Sequence, residues 1–218
     1  RADVYFFSDQ DDVWLQDKLQ VTLETAQAYP ADQPLMVYTD LKVVDQDLQV
    51  MNESMIRSQS HHANTELVQE LTENTVTGGT SMINHALAEL WTVTDDILMH
   101  DWYLALLATA FGKLVYIDQP TELYRQHDNN VLGARTMDKR FKIFRYGPKF
   151  IFTRYWKLIH DSQKQAAHLL EFSQIKLEDR ELIEHFVDID KQNMVERIRR
   201  IVKYRYSKNQ WKHILVFR

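Results

Sequence analysis

The chain has 218 residues, no cysteine and a formal net charge of −5. The lack of cysteine excludes a disulfide framework and thiolate chemistry, and it fits a reducing compartment. We expect neither a signal peptide nor a membrane span, because no apolar run is long enough to cross a bilayer. The length suits one sizeable core with an appendage rather than two full enzyme domains.

Charge is divided unevenly along the chain. Residues 1–134 hold 6 Lys and Arg against 21 Asp and Glu, a net charge of −15, whereas residues 135–218 hold 20 against 10, a net charge of +10. Such an asymmetry indicates an anionic partner for the basic part, or attraction between the two parts. We therefore predict two regions, 1–134 and 135–218.

The chain opens with an apolar strand that stops at three carboxylates. Residues 4–8 are typical of a buried strand, and Asp9, Asp11 and Asp12 follow. Open α/β sheets bind ligands at the carboxyl ends of their strands, and divalent ions such as Mg²⁺ or Mn²⁺ bind carboxylates together with substrate phosphates. The pattern predicts a metal-diphosphate site at Asp9 and Asp11. The alternative is an acidic turn in which Asp12 caps the next helix.

The following residues predict alternating helices and strands. Val13 to Tyr29 has helical spacing, and Leu35 to Val44 reads as a second strand that carries Asp40. Residues 52–64 are polar and predict a mobile loop. We expect a mixed α/β sheet with flanking helices.

Two of the five glycines, Gly78 and Gly79, lie within the β-rich run of residues 74–84. Glycine weakens a strand and usually marks the close approach of a ligand or another backbone. We interpret this pair as a place of ligand approach rather than a simple bulge.

A strongly apolar segment from Trp102 to Phe111 predicts a buried helix, and Asp101 precedes it. This carboxylate has two interpretations. It is either an N-cap that contributes about 1 kcal/mol, or a general base held at the helix start beside a pocket. A strand at residues 114–118 and an extended segment follow, and they lead to residues 125–130, which are rich in groups that hold phosphate or hydroxyl oxygens.

Five short motifs lie at or near the ends of these predicted elements. They are FSDQDDVW at 7–14, YTD at 38–40, TGGTSMIN at 77–84, HDW at 100–102 and YRQH at 124–127. In this order they resemble the motifs of family 2 glycosyltransferases, notably the rhamnosyltransferase-like members that build bacterial cell-surface polysaccharides. The resemblance covers roughly residues 3–134. It implies an α/β fold, a partial A-type nucleotide-sugar transferase fold followed by a C-terminal helical appendage.

The resemblance also implies roles for individual residues. Asp9 and Asp11 would bind Mg²⁺ or Mn²⁺ and the donor's diphosphate, and Asp101 would be the catalytic base that deprotonates the acceptor hydroxyl. The implied donor-binding and acceptor-binding residues are Asp9, Gly78, Gly79, Thr80, Trp102, Arg125 and His127. The implied reaction moves a sugar, with rhamnose as the candidate, from a nucleoside-diphosphate donor to a saccharide or lipid-linked acceptor.

The residues suit that chemistry on independent grounds. A sugar that leaves a nucleoside diphosphate builds charge on the departing phosphate, which a metal ion and Arg125 would stabilise while one carboxylate activates the incoming hydroxyl. A single displacement inverts the anomeric centre and needs no second nucleophile.

Members of this family begin with a nucleotide-binding half. Here only Arg1 and Ala2 precede the stretch that shows the resemblance, residues 3–134. We therefore expect a truncated or processed polypeptide that lacks this half, binds donor weakly and self-associates. Two other functions compete with the transferase. One is an inactive remnant that serves as a binding or scaffold module. The other is a phosphatase of the haloacid-dehalogenase type, with Asp9 as nucleophile and Asp95-Asp96 as the later acidic pair.

The C-terminal region is basic and aromatic. Arg135 to Lys157 holds eight Lys and Arg against one acid, and amphipathic helices are predicted at about 149–172, 178–189 and 192–206. The simpler interpretation is a helical appendage packed on the sheet domain. The functional one is peripheral contact of residues 135–157 with an anionic membrane. Nucleic acid is not an expected partner, because no recognised binding motif accompanies the charge. The expected location is the cytoplasm or the inner face of the membrane.

Overall fold

The computed structural model describes residues 2–92, 97–126, 156–207 and 209. The protein is mixed α/β, with a curled mixed sheet flanked by helices and a helical C-terminal part, which confirms the predicted fold class. The strands are β1 Val4–Phe6, β2 Val13–Trp14, β3 Leu35–Val44, β4 Val50–Asn52, β5 Ser81–Asn84 and β6 Lys113–Arg125. The helices are α1 Lys18–Ala26, α2 Met55–Gln59, α3 Leu67–Thr72, α4 His85–Ala88, α5 His100–Phe111, α6 156–167 in its described part, α7 Leu177–Val187 and α8 Met194–Tyr204. Short 3₁₀ turns occur at Gly78–Thr80, His168–Glu171 and Ile189–Lys191.

The sheet is built on the parallel pair β3 and β6. The strand order is β1-β5-β3-β6-β2, and β4 pairs with β3. All pairs other than β3 with β6 are antiparallel. Nine of the ten residues of β3 are buried, as its nearly continuous apolar run requires of a central strand.

Asp40, the acid within β3, is used structurally. Its side chain is 2% exposed and accepts hydrogen bonds from the Ser54 hydroxyl and the Ile56 amide. Ser54 in turn is the N-cap of α2 and accepts from the Arg57 amide. The prediction of a mobile loop over residues 52–64 was therefore wrong at its centre, because this acid and this cap hold a short helix.

The helix predicted from Val13 to Tyr29 begins later than expected. Val13 and Trp14 form β2, which pairs with β6, and α1 starts at Lys18 with Asp17 at the N-cap position. A β-branched and an aromatic residue beside an open strand edge gain more from pairing than from helical spacing. The alternative in which Asp12 caps a helix was also wrong.

The C-terminal helices share a core with the sheet domain. A single cluster of buried apolar side chains extends from β3 and α5 to α7 and α8. The Ser162 hydroxyl donates to the Leu71 carbonyl at 2.8 Å, and the Thr72 hydroxyl donates to the Ser207 carbonyl at 2.7 Å. The predicted boundary near residue 134 and nearly all of the basic segment 135–157 lie outside the described residues. No helix in the described ranges is long and apolar enough to cross a membrane.

Strand β1 lies at an edge of the sheet within the described part of the chain. It is half-buried rather than buried as predicted, because β5 covers only one side. The Phe7 amide donates to the Ser81 carbonyl, and the Asp3 carbonyl accepts from the amide of His85, the residue that follows β5. Successive residues of an antiparallel strand point their N–H and C=O groups toward opposite edges of the strand. Because Asp3 and Phe7 bond on the β5 side, the amides of Val4 and Phe6 point away from β5.

We expect the chain to self-associate through β1, because an apolar edge strand with outward amides is a template for pairing with another chain. Val4→Pro removes one outward amide and leaves the ladder to β5 intact. It should therefore convert dimers to monomers in sedimentation at low micromolar concentration. Tyr5→Pro is the control, because it removes an amide that faces β5 and should lower stability instead. A wild-type chain that sediments as a monomer would contradict this expectation.

Candidate functional site

The acidic loop between β1 and β2 is held in place by Arg125. The Arg125 amide donates to Asp12 Oδ1 at 2.8 Å, and its Nε donates to the Asp11 carbonyl at 3.1 Å. Its Nη1 donates to the Gln46 carbonyl at 2.9 Å. Asp9 is exposed on this loop and Asp11 is half-buried. The guanidinium predicted to contact donor phosphate thus clamps the backbone of the loop that carries Asp9 and Asp11.

A buried lysine lies behind the acidic loop. Lys18 is 1% exposed, and its ammonium donates to the Gly79 carbonyl and to Glu122 Oε2, the latter at 2.5 Å. The ammonium also lies 4.1 Å from the centre of the Trp14 ring. Glu122 is fully buried. Helix α1, the glycine turn and β6 therefore meet at one cation.

Burial controls the protonation of this cluster. It raises the pKa of Glu122 to about 7, although Lys18 opposes the rise. It lowers the pKa of Lys18, against the attraction of Glu122. Burial also raises the pKa of Asp12, and the charges of Asp11 and Asp9 add to the rise. Among the described residues, Asp12 Oδ2 and Glu122 Oε1 are buried without a hydrogen-bond partner. The cluster has more carboxylate than cation, so a further cation would be stabilised beside it.

The paired glycines form a turn that two side chains, Glu122 and His100, approach closely. A methyl group added at Gly79 would lie 2.4 Å from Glu122 Oε1, and one added at Gly78 would lie 2.8 Å from His100 Nε2. Both contacts are too short for any side chain. The close approach predicted for this pair is made by protein groups, since Glu122 and His100 occupy the space of the absent side chains.

Asp101 lies in the first turn of α5, two residues after Met99, which occupies the N-cap position that was one interpretation of Asp101. Its Oδ1 accepts from the Trp102 amide at 2.6 Å, and its Oδ2 accepts from the Gly78 amide at 3.1 Å. Burial raises the pKa of Asp101, while His100 and the backbone donors oppose the rise. The carboxylate is thus oriented by two amides and is easier to protonate than an exposed aspartate.

An aromatic cluster connects the two sides of the site. The Phe7 ring, just beyond β1, lies 5.1 Å from the His100 ring, and the Trp91 ring stacks on His100 at 6.4 Å. Phe7 and Trp91 also line a cavity of about 450 Å³ beside β1. The end of β1 and the start of α5 therefore lie together, which brings the acidic loop and Asp101 to the same region.

The other predicted residues lie in different surroundings. Thr80 is buried and its hydroxyl donates to the Thr77 carbonyl. Trp102 is 5% exposed and its indole N–H donates to the Glu70 carbonyl at 2.6 Å, so it packs behind Asp101. His127 lies outside the described residues.

The phosphatase alternative gains no support from the described residues. Lys18 lies beside the acidic loop but bonds to Glu122 and Gly79 rather than to Asp9. The pair Asp95-Asp96 lies outside the described residues. In the ranges that the structure describes, no three His, Asp or Glu side chains form a preassembled metal site.

Lys18 and Glu122 were missed from the sequence. Lys18 stands four residues from both Trp14 and Thr22, so the three positions would share one face of the helix predicted from Val13, and a lysine on such a face was a usable signal although Trp14 lies in β2. Glu122 interrupts an extended apolar segment, which is a weaker signal than that of Lys18. Their pairing, across 104 residues, has no local signature.

We expect Lys18→Met and Glu122→Gln each to lower the free energy of unfolding by about 3–5 kcal/mol, because each leaves a buried group without its partner. The double variant should lose much less than the sum, since neither charge remains. Urea unfolding of the four proteins measures this coupling.

The matched control is the exposed pair Arg57 and Asp118, in which Arg57 Nη2 bonds to both carboxylate oxygens. Arg57→Met and Asp118→Asn should change the unfolding midpoint little, because water screens exposed ions. Additive effects of Lys18→Met and Glu122→Gln would show that this pair does not act as a unit.

No protein-family model matches the chain. The chain is similar to the dTDP-rhamnosyl transferase RfbG of Shigella flexneri, with 30% identity over 139 residues. The matched stretch is 61% of this chain and 46% of that protein, so the chain spans about half the length of the curated relative it matches. This similarity supports a relationship to glycosyltransferases.

Proposed function

We propose that the protein transfers a sugar from a nucleoside-diphosphate donor to a hydroxyl group of a saccharide or lipid-linked acceptor. The similarity to a dTDP-rhamnosyl transferase carries the proposal and makes dTDP-rhamnose the candidate donor. The geometry supports it, because the Gly78 amide orients the half-buried Asp101 carboxylate, while Lys18, behind the acidic loop, bonds to the adjacent Gly79 carbonyl.

Asp9 and Asp11 would hold a divalent cation such as Mg²⁺ or Mn²⁺. The residues fit such an ion, because the carboxyl groups of Asp12 and Glu122 lie beside the loop in a cluster with one ammonium, Lys18, and burial together with the charges of neighbouring acids raises the pKa of both. Two protein carboxylates suffice for an ion that completes its shell with phosphate oxygens. When bound, the ion would neutralise charge on the leaving diphosphate.

Asp101 would act as the general base. Its carboxylate would accept the proton of the acceptor hydroxyl while that oxygen bonds to the anomeric carbon and the bond from this carbon to the phosphate oxygen breaks. The Gly78 and Trp102 amides orient the carboxylate before the reaction. One displacement inverts the anomeric centre. Arg125 would place the acidic loop under the diphosphate, through its bonds to Asp11 and Asp12.

We expect dTDP-rhamnose to bind only when Mn²⁺ or Mg²⁺ is present, because the acidic loop alone repels a diphosphate. In the full-length protein, Asp11→Asn should weaken donor binding about tenfold or more. Asp32→Asn, an exposed acid before β3, is the matched control and should leave affinity unchanged. Calorimetric titration with and without EDTA measures both. Equal donor affinity in EDTA would remove the metal from the proposal.

We expect Asp101→Asn to lower the rate of transfer about 10²–10⁴-fold, the usual effect of losing a positioned base. Donor affinity should stay near the wild-type value, because Asp101 lies on the acceptor side in this proposal. Transfer of radiolabelled rhamnose in the same complete protein, alongside calorimetry of the donor, separates the two effects. Asp118→Asn, which alters an exposed carboxylate, should retain normal turnover.

The pH profile provides a second readout of the same residue. A base must be deprotonated to act, and burial raises the pKa of Asp101. The acid limb of kcat/KM should therefore lie above the pH of about 4 that an exposed aspartate would give, with the rate rising as pH rises. Near-normal turnover by Asp101→Asn would exclude this residue as the base.

A further inference from the structure

Helix α8 exposes an apolar stripe. Met194, Val195, Ile198 and Val202 are 71%, 79%, 44% and 64% exposed. Their spacing of three and four residues places them along one side of the helix. Ile201, on the neighbouring side, is buried against the core. The helix therefore packs through one face and presents a second apolar face to solvent.

Basic side chains flank this stripe. The side chains of Arg199 and Lys203 are 77% and 60% exposed, and they lie one turn apart beside it. Arg205 follows the helix and is also exposed. Helix α8 contains four Lys or Arg against one acid, Glu196, which bonds to Arg200 at 3.1 Å and lies 3.7 Å from Arg199. Lys203 pairs with Glu181 of α7 at 3.2 Å. The ion pairs of Arg199 and Lys203 are both exposed, so water screens them and a phosphate could replace the carboxylate. The exposed face thus combines apolar and cationic groups.

Between described residues, no ion pair joins the acidic region to helix α8. Every ion pair between described residues lies within residues 1–126 or within 156–209, and none joins the two parts. Hydrogen bonds and apolar contacts join them instead. Among the described residues, the cations of α8 therefore have no acidic partner in residues 2–126.

We propose that the exposed face of α8 docks on an anionic phospholipid surface. The helix would lie in the plane of the interface, with the apolar stripe at the boundary of headgroups and acyl chains and Arg199 and Lys203 among the phosphates. A nucleic acid would satisfy the cations but leave the apolar stripe in water. A second α8 would cover the stripe but bring like charges together.

Vesicle co-sedimentation of the full chain tests the proposal. The chain should bind vesicles that contain phosphatidylglycerol and bind pure phosphatidylcholine vesicles much less. Binding should fall as salt rises, because the screening length drops from about 10 Å at 0.1 M to about 3 Å at 1 M ionic strength.

Variants locate the contact. Val195→Asp with Val202→Asp should lower the partition coefficient about tenfold or more, because two apolar side chains would become charged. Arg199→Gln should lower it about fivefold, which corresponds to about 1 kcal/mol per basic residue at the surface. Leu177→Asp is the matched control, since Leu177 is 82% exposed but lies on α7 outside the stripe, and its partitioning should be unchanged.

Three outcomes would overturn the proposal. Equal binding to neutral and anionic vesicles would contradict the role of charge. Full binding by the Val195→Asp, Val202→Asp variant would place any lipid contact elsewhere in the basic region. A dimer that this variant abolishes but Val4→Pro does not, together with no vesicle binding, would make the stripe a contact between copies of the chain.

Discussion

The buried ammonium of Lys18 is the constraint on which the arrangement of the site depends. A charge removed from water costs several kcal/mol unless its partners are well placed. The partners here come from distant parts of the chain, the Gly79 carbonyl and the Glu122 carboxylate. Trp14 lies under the same cation because β2 pairs with β6 in the register that places it opposite Glu122. The position of β2, the glycine turn and β6 is therefore tied to one interaction.

The glycine turn keeps two carboxylates apart and gives them different partners. Asp101 accepts from backbone amides, whereas Glu122 depends on a charged lysine. Burial raises the pKa of both, because the cost of removing the charged form from water is larger than the stabilisation that the partners give it. The amide donors orient Asp101 without adding a formal charge beside it. That arrangement suits a group that must accept a proton and release it again.

The sequence predicted the elements whose signals are local. The apolar run of β3 and the apolar helix α5 follow from composition and spacing, and both occur where expected. Val13 and Trp14 were misassigned because helical spacing cannot reveal an open edge on β6, more than a hundred residues away. Asp40 accepts a hydrogen bond from Ser54 within the fold. Only the folded chain shows which acidic side chains accept hydrogen bonds from other parts of the protein. The Lys18 and Glu122 pair was invisible for the same reason.

The two regions carry opposite net charges, so each would interact differently with an anionic ligand or surface. A nucleoside diphosphate is an anion, and it would have to approach a region with a net charge of −15. Salt screens such repulsion beyond about 8 Å at physiological ionic strength, but not at contact distance. The divalent ion proposed at the acidic loop would remove the repulsion where the phosphates would lie. An anionic surface would attract the basic region, whereas the same surface would repel the acidic region. The two charges together would orient the chain, with α8 toward the surface and the acidic loop away from it.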